Sequence, residues 1–170
     1  MPPKKQVTEE MILEKAFALT REHGFDSISA RALARELNCS TQPIYQTFSD
    51  MAGLKIAVIK KSAAVMMEFI ARHKDPALPE ELGFILGYVR FAGQEEKLFQ
   101  LIFTSGANGP GQSFAAWGRM RFDRFDTDMI VYANGIIMMS AFQALDRSWE
   151  EKKKMIVRAY EKFHGVRLPE

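Results

Sequence analysis

Apolar residues recur at helical spacing along most of the chain, and the pattern predicts an all-α protein. The first helix is expected to open at Thr8, whose hydroxyl can cap it, with Glu9 and Glu10 suiting its positive end. Val7 and Ile12 are placed to form a hydrophobic staple. Ile12, Leu13, Ala16, Phe17 and Leu19 then form a stripe that must be buried. Gly24 ends this helix, Phe25 folds back on its last turn, and Ile28 leads to a new cap at Ser29. A second helix over 30–37 puts Leu33 and Leu37 on one side and Arg31 and Arg35 on another. Asn38 suits the left-handed residue that closes it, and Ser40 is the expected cap of a third helix over 41–47. Ile44 and Phe48 form the buried face there. The other face is Thr41, Gln42, Tyr45 and Gln46, while Pro43 falls in the first turn, where its missing N–H costs no bond.

Beyond this short-helix cluster the elements lengthen. Asp50 is expected to cap a helix over 50–73, with Leu54, Val58, Ala64 and Val65 on one face and Lys55, Lys60 and Lys61 on others. Residues 75–79, DPALP, read as the connection out of it. Helices follow over 80–93, with Leu82, Ile85, Leu86 and Val89, and over 95–104, with Leu98, Phe99, Ile102 and Phe103. Residues 105–111, SGANGPG, read as a loop, and 113–125 as an aromatic-striped helix containing Phe114, Trp117, Met120 and Phe125. Residues 129–145 form a charge-free run, apolar on nearly every side. Such a helix must be covered all round, and in so small a domain a second copy of the protein is the natural cover. The last helix opens with the capping box Ser148 and Glu151 and runs through Met155, Ile156, Ala159, Tyr160 and Phe163 to Gly165.

Composition adds bounds rather than chemistry. The 170 residues suffice for one or two domains with a real core, and 47% apolar with 26% charged residues is ordinary for a folded protein. The single cysteine, Cys39, excludes an intramolecular disulfide and fits a reducing, cytoplasmic setting. The N-terminal residues have no apolar stretch like that of a signal peptide, and the run at 129–145 is too short and too polar, with Asn134, Ser140 and Gln143, to span a membrane. The net charge of +2 does not announce a nucleic-acid partner, but the whole excess lies in residues 1–61, with 9 Lys/Arg against 7 Asp/Glu.

The residues from 29 to 54 carry a resemblance. The A-R-A-L-A of the second helix, S-T-Q-P-I-Y-Q-T-F and the following S-D-M-A-G-L are similar to the N-terminal helix-turn-helix of TetR family transcriptional regulators, and the likeness extends over about residues 8–61. It implies an N-terminal helix-turn-helix DNA-binding domain (1–55) and a helical C-terminal domain for effector binding and dimerisation (56–170). It further implies binding to palindromic double-stranded DNA operators as a homodimer, through two C-terminal helices at about 127–146 and 148–164. On this reading Thr41, Gln42 and Pro43 face base edges, with Gln42 suited to adenine, and Tyr45 holds a phosphate or reaches a base. Arg31 reaches a guanine or a phosphate, and Ser40, Gln46 and Thr47 lie along the backbone. The chain departs from the family at Met51, where many members have a phosphate-gripping lysine. Lys55 is the nearest cation there, and Lys4 and Lys5 on the N-terminal arm are the alternative.

Ten methionines and thirteen phenylalanines favour an adaptable apolar interior. A small, largely hydrophobic effector is expected among the helices after residue 80, with Tyr88, Trp117, Tyr132, Asn134 and Gln143 as candidate contacts; the same residues serve equally as ordinary core. The long helix from residue 50 is the expected mechanical link, its tilt changing the separation of two reading heads. Other classes fit less. His23, His73 and His164 share no metal-ligand spacing, so neither a metal, a cofactor nor a catalytic constellation is expected. A helical interaction or membrane-surface module would account for the apolar helices but not for an uncharged, hydrogen-bonding third helix.

Overall fold

Side-chain hydroxyls meet orphan amides where three of the helices begin. The Thr8 hydroxyl accepts from the Met11 amide at 3.2 Å, Ser29 from Ala32 at 3.1 Å, and Ser148 from Glu151 at 3.3 Å, with the Glu151 carboxylate reaching back to the Ser148 amide. The computed structural model describes residues 7–104 and 125–168. The expected loop at 105–111, nearly all of the expected helix at 113–125 with Trp117, and Lys4 and Lys5 lie outside them. Among the described residues there are eight α-helices and no strand, so the fold is all-α. They are α1 (Glu9–His23), α2 (Ala30–Glu36), α3 (Gln42–Phe48), α4 (Met51–Arg72), α5 (Glu80–Gln94), α6 (Glu96–Thr104), α7 (Thr127–Ala141) and α8 (Trp149–His164). A single 3-10 turn, Phe25–Ser27, joins α1 to α2.

The chain divides into two units. The first takes in residues 7–64 with 97–104, and the second residues 65–96 with 125–168, so α4 supplies residues to both. In the first unit α1 packs against the 3-10 turn, α2 and α3. Ile12, Ala16, Leu33, Ile44, Leu54 and Val58 are buried there, and Phe25 is buried as its position after Gly24 predicts. Two helices of seven residues cannot hold themselves, and burial of Leu33 and Ile44 is what keeps them in place.

In the second unit α5 is the central helix, packed against both α7 and α8, which also pack on each other. Its apolar side is far wider than the four positions expected: Gly83, Phe84, Gly87, Tyr88, Phe91 and Ala92 are buried as well. Gly87 is what lets α4 approach. A Cβ there would lie 3.0 to 3.2 Å from three atoms of Ile70. The buried positions of α4 are Leu54, Val58, Ile59, Ser62, Met66, Phe69 and Ile70. Ala64, expected on that face, is exposed, because six residues beyond Val58 is a rotation of about 240° to the far side.

Two further boundaries differ from expectation. The α3 cap is Thr41 and not Ser40, and it uses no side chain: its backbone already lies near helical values (φ −73°, ψ −15°), and the amides of Ile44 and Tyr45 donate to its carbonyl. With Pro43 at the second helical position one orphan amide is missing, so a side-chain cap has less to satisfy. The apolar run at 129–145 is not one helix. It stops at Ala141 because Gln143 turns left-handed (φ 56°), sending its own amide to the Ser140 carbonyl and that of Ala144 to Met139.

Candidate nucleic-acid interface

The reading unit is built from the turn outward. Asn38 adopts φ 51° just after α2, where its amide donates to the Arg35 carbonyl at 3.1 Å and the Cys39 amide to Ala34 at 3.0 Å. These two bonds satisfy the last carbonyls of α2 and reverse the chain into α3 within a few residues. Ile44 faces inward and is almost fully buried. Gln42, Tyr45, Gln46 and Thr47 are exposed, Tyr45 by 47%, and Thr41 and Pro43 are half-buried. The exposed set therefore falls on one side of a short helix and carries donors, acceptors and no charge. That is the chemistry of base-edge and phosphate contacts in a major groove. Thr47 is partly occupied, its hydroxyl donating to the Pro43 carbonyl at 2.9 Å.

The corner after α3 is equally tight. Ser49 takes φ 63°, and the Asp50 carboxylate accepts from the Gly53 amide at 2.7 Å, which makes Asp50 the cap of α4. A Cβ at residue 53 would press into the Phe48 carbonyl oxygen, so glycine is what permits α4 to begin directly behind the exposed helix. The S-D-M-A-G-L stretch thus has a steric reason for its glycine.

Arg31 and Arg35 are exposed on α2. Most of the lysines nearby are committed elsewhere. Lys55 pairs with Asp26 at 3.3 Å and lies 5.4 Å from the centre of the Phe25 ring; Lys15 pairs with Glu36 at 3.4 Å; Lys61 pairs with Glu14 and sits over Phe17. These pairs tie α1 to α2 and hold α4 to α1 and to the 3-10 turn. A sequence has no signal for the Lys55 pairing, because Asp26 is 29 positions away.

The expected effector contacts are dispersed. The buried Tyr88 hydroxyl donates to Asn134 Oδ1 at 3.0 Å, and Asn134 Nδ2 donates to the Ile130 carbonyl. Burial pushes the Tyr88 phenol up from its ordinary value. Tyr132 meets Phe163 edge-on at 6.2 Å, and Gln143 is exposed at the end of α7. Trp117 lies outside the described residues. What the sequence reading missed is a cavity of about 70 Å³ bordered by the connection between α4 and α5, by α5 and by the start of α8. Among the described residues no helix is long and apolar enough to cross a membrane.

Residues 12–58 match the family model of bacterial regulatory proteins of the tetR family. No curated protein sequence matches the chain. Among solved structures the chain resembles a TetR-like transcriptional regulator from Rhodococcus sp. RHA1, with a TM-score of 0.63 at 17% identity over 96% of this chain and 99% of that one. It also resembles a proposed transcriptional regulator from Pseudomonas aeruginosa PAO1, with a TM-score of 0.61 at 14% identity over 92% of this chain and 91% of that one. At these identities the likeness speaks for the fold alone, and the family match concerns residues 12–58.

Proposed function

We propose, from the match of residues 12–58 to the TetR family model, that the chain is a DNA-binding transcriptional regulator of that family, a cytoplasmic, homodimeric repressor released by a small effector. Residues 1–55 form the reading domain in this proposal and residues 56–170 the domain that dimerises and responds. The observation that carries it is the exposed, uncharged, hydrogen-bonding face of α3, anchored by buried Ile44. Gln42 is assigned to base edges, with Thr41 and Pro43 beside it, and Tyr45 to a phosphate. Arg31, Ser40, Gln46 and Thr47 supply the flanking contacts. Lys55 takes that role only by leaving Asp26.

Dimerisation is supported by what α7 and α8 leave uncovered. Val131 is 65% exposed and Phe142 74%, with Met138, Met139, Phe163 and Val166 also open. These six large apolar side chains, four on the two adjacent helices and two just past their ends, suit a second copy of the same surface, a two-fold arrangement that matches a palindromic operator. An effector reaching Tyr88 and Asn134 must replace the bond between them, and α4 is the element that runs into both units and can carry the response.

The test is retardation of DNA from the region upstream of the protein's own gene. A specific complex that weakens steeply between roughly 50 and 200 mM salt is expected, since phosphate contacts release counterions. Absence of any retarded complex at the lower salt would contradict the reading.

A further inference from the structure

We propose that the cavity bordered by the α4–α5 connection, α5 and α8 is a binding site for a small carboxylate ligand, held by Arg90 and Lys153 against the ring of Trp149. The proposal stands on the cavity and its charges and does not depend on the repressor reading. Arg90 projects from α5 with its Nε buried and without a hydrogen-bond partner. Its guanidinium carbon lies 5.4 Å from the centre of the Trp149 ring, so the group is positioned by an aromatic face and not by an anion. Lys153, one turn along α8 from Trp149, lines the same space, and among the described residues no carboxylate is within ion-pair distance of either cation.

The other charged and titratable neighbours are occupied or peripheral. The Asp75 carboxylate accepts from the Ala77 amide at 2.9 Å, Lys74 pairs with Glu80 at 3.5 Å, and His73 donates from Nδ1 to the Phe69 carbonyl while its ring stacks on Phe69. Two cations therefore face the cavity against one carboxylate already engaged. The cavity holds more positive than negative charge, and an anion in it can accept from the outer guanidinium nitrogens of Arg90 and from the Lys153 ammonium. Leu78, Leu86 and the Trp149 ring supply the apolar wall for a short carbon chain. At roughly 10–15 Å³ per water, the volume of about 70 Å³ is room for about five waters, which suits a carboxylate and its first carbons and excludes a large ring system.

The experiment uses the full chain and the probe butyrate, with butyramide as its uncharged isostere and sodium chloride at equal ionic strength as the control. Binding is read on the Arg90 Nε–H cross-peak in heteronuclear NMR, identified by its loss in Arg90→Gln. Saturable movement with butyrate at millimolar concentrations is expected, with butyramide at least about tenfold weaker. In Lys153→Met, whose side chain borders the cavity without holding the fold, butyrate should also bind several-fold more weakly. Equal responses to butyrate and butyramide, a response that sodium chloride reproduces, or no saturable movement at tens of millimolar would each overturn the proposal.

Discussion

The Tyr88 hydroxyl donates to Asn134 Oδ1 at 3.0 Å, joining α5 to α7 across 46 residues of sequence. Asn134 is itself fixed by its bond to the Ile130 carbonyl, so the pair is a polar clasp between a buried hydroxyl and a half-buried amide. Tyr88→Phe removes the donor and leaves Oδ1 unmatched, and should destabilise the fold by about 1–2 kcal/mol. The phenol's value is raised by burial, so its contribution is fully present below the ordinary value of 10.0 and is lost as pH rises through the higher folded-state value. Urea unfolding at neutral and alkaline pH checks both points: the wild type should lose stability with alkali and the phenylalanine variant should lose less.

Two glycines in helices are predicted to respond with opposite sign. Gly53→Ala forces a methyl group against the Phe48 carbonyl and should cost about 1–3 kcal/mol, with loss of the α3–α4 corner. At Gly93 nothing lies within 4 Å of the added carbon, and Gly93→Ala should stabilise by about 0.5–1 kcal/mol. Thermal unfolding of the two variants tests the geometry of both sites.

The first turn of α8 carries a pH signature. Backbone and hydroxyl donation from Ser148, with Arg147 alongside, holds the Glu151 carboxyl below its ordinary value of 4.5. A lowered folded-state value means that the contribution is present above 4.5 and is lost as pH falls through the lower folded-state value. Carboxyl NMR titration of Glu151 should show the depressed midpoint, and Ser148→Ala should return it toward 4.5.

Much of this was legible because it is local chemistry. Thr8, Ser29, Ser148 with Glu151, Asn38 and Gly165 act within a few residues of where they stand, and each closes or opens the helix its neighbours predict. The TetR likeness over 8–61 rests on such short-range features and is matched over 12–58. What was hidden depends on distant partners. Lys55 meets Asp26, Tyr88 meets Asn134, and Arg90 meets Trp149 only after folding. Gln143 was hidden for another reason: an uncharged residue in an apolar run gives no sign that it will turn left-handed and end the helix. The breadth of burial on α5 likewise follows from having neighbours on several sides, which periodicity within one helix does not reveal.

The uncovered α7 and α8 surface leads to a prediction about assembly. Phe142→Asp places a charge on the most exposed of its apolar side chains and should shift the protein to monomer in sedimentation. Operator affinity should then fall on the order of a hundredfold, because the second half-site no longer adds to the first. A dimer that persists in this variant would move the interface elsewhere.

On α3 the two roles assigned to the exposed face separate by substitution. Gln42→Ala should relax base preference at one position of each half-site, whereas Tyr45→Phe should weaken binding to all sequences alike. Equal, sequence-blind losses from both would show that the reading face is misassigned.

The most direct test of the regulator as drawn is selection of bound sequences from a random DNA pool with the full-length protein, which reads binding, symmetry and half-site spacing together. Enrichment of two inverted half-sites at fixed spacing is expected, each with an adenine whose preference depends on Gln42. Recovery of unrelated sequences, or of a single half-site without its inverted copy, would contradict it.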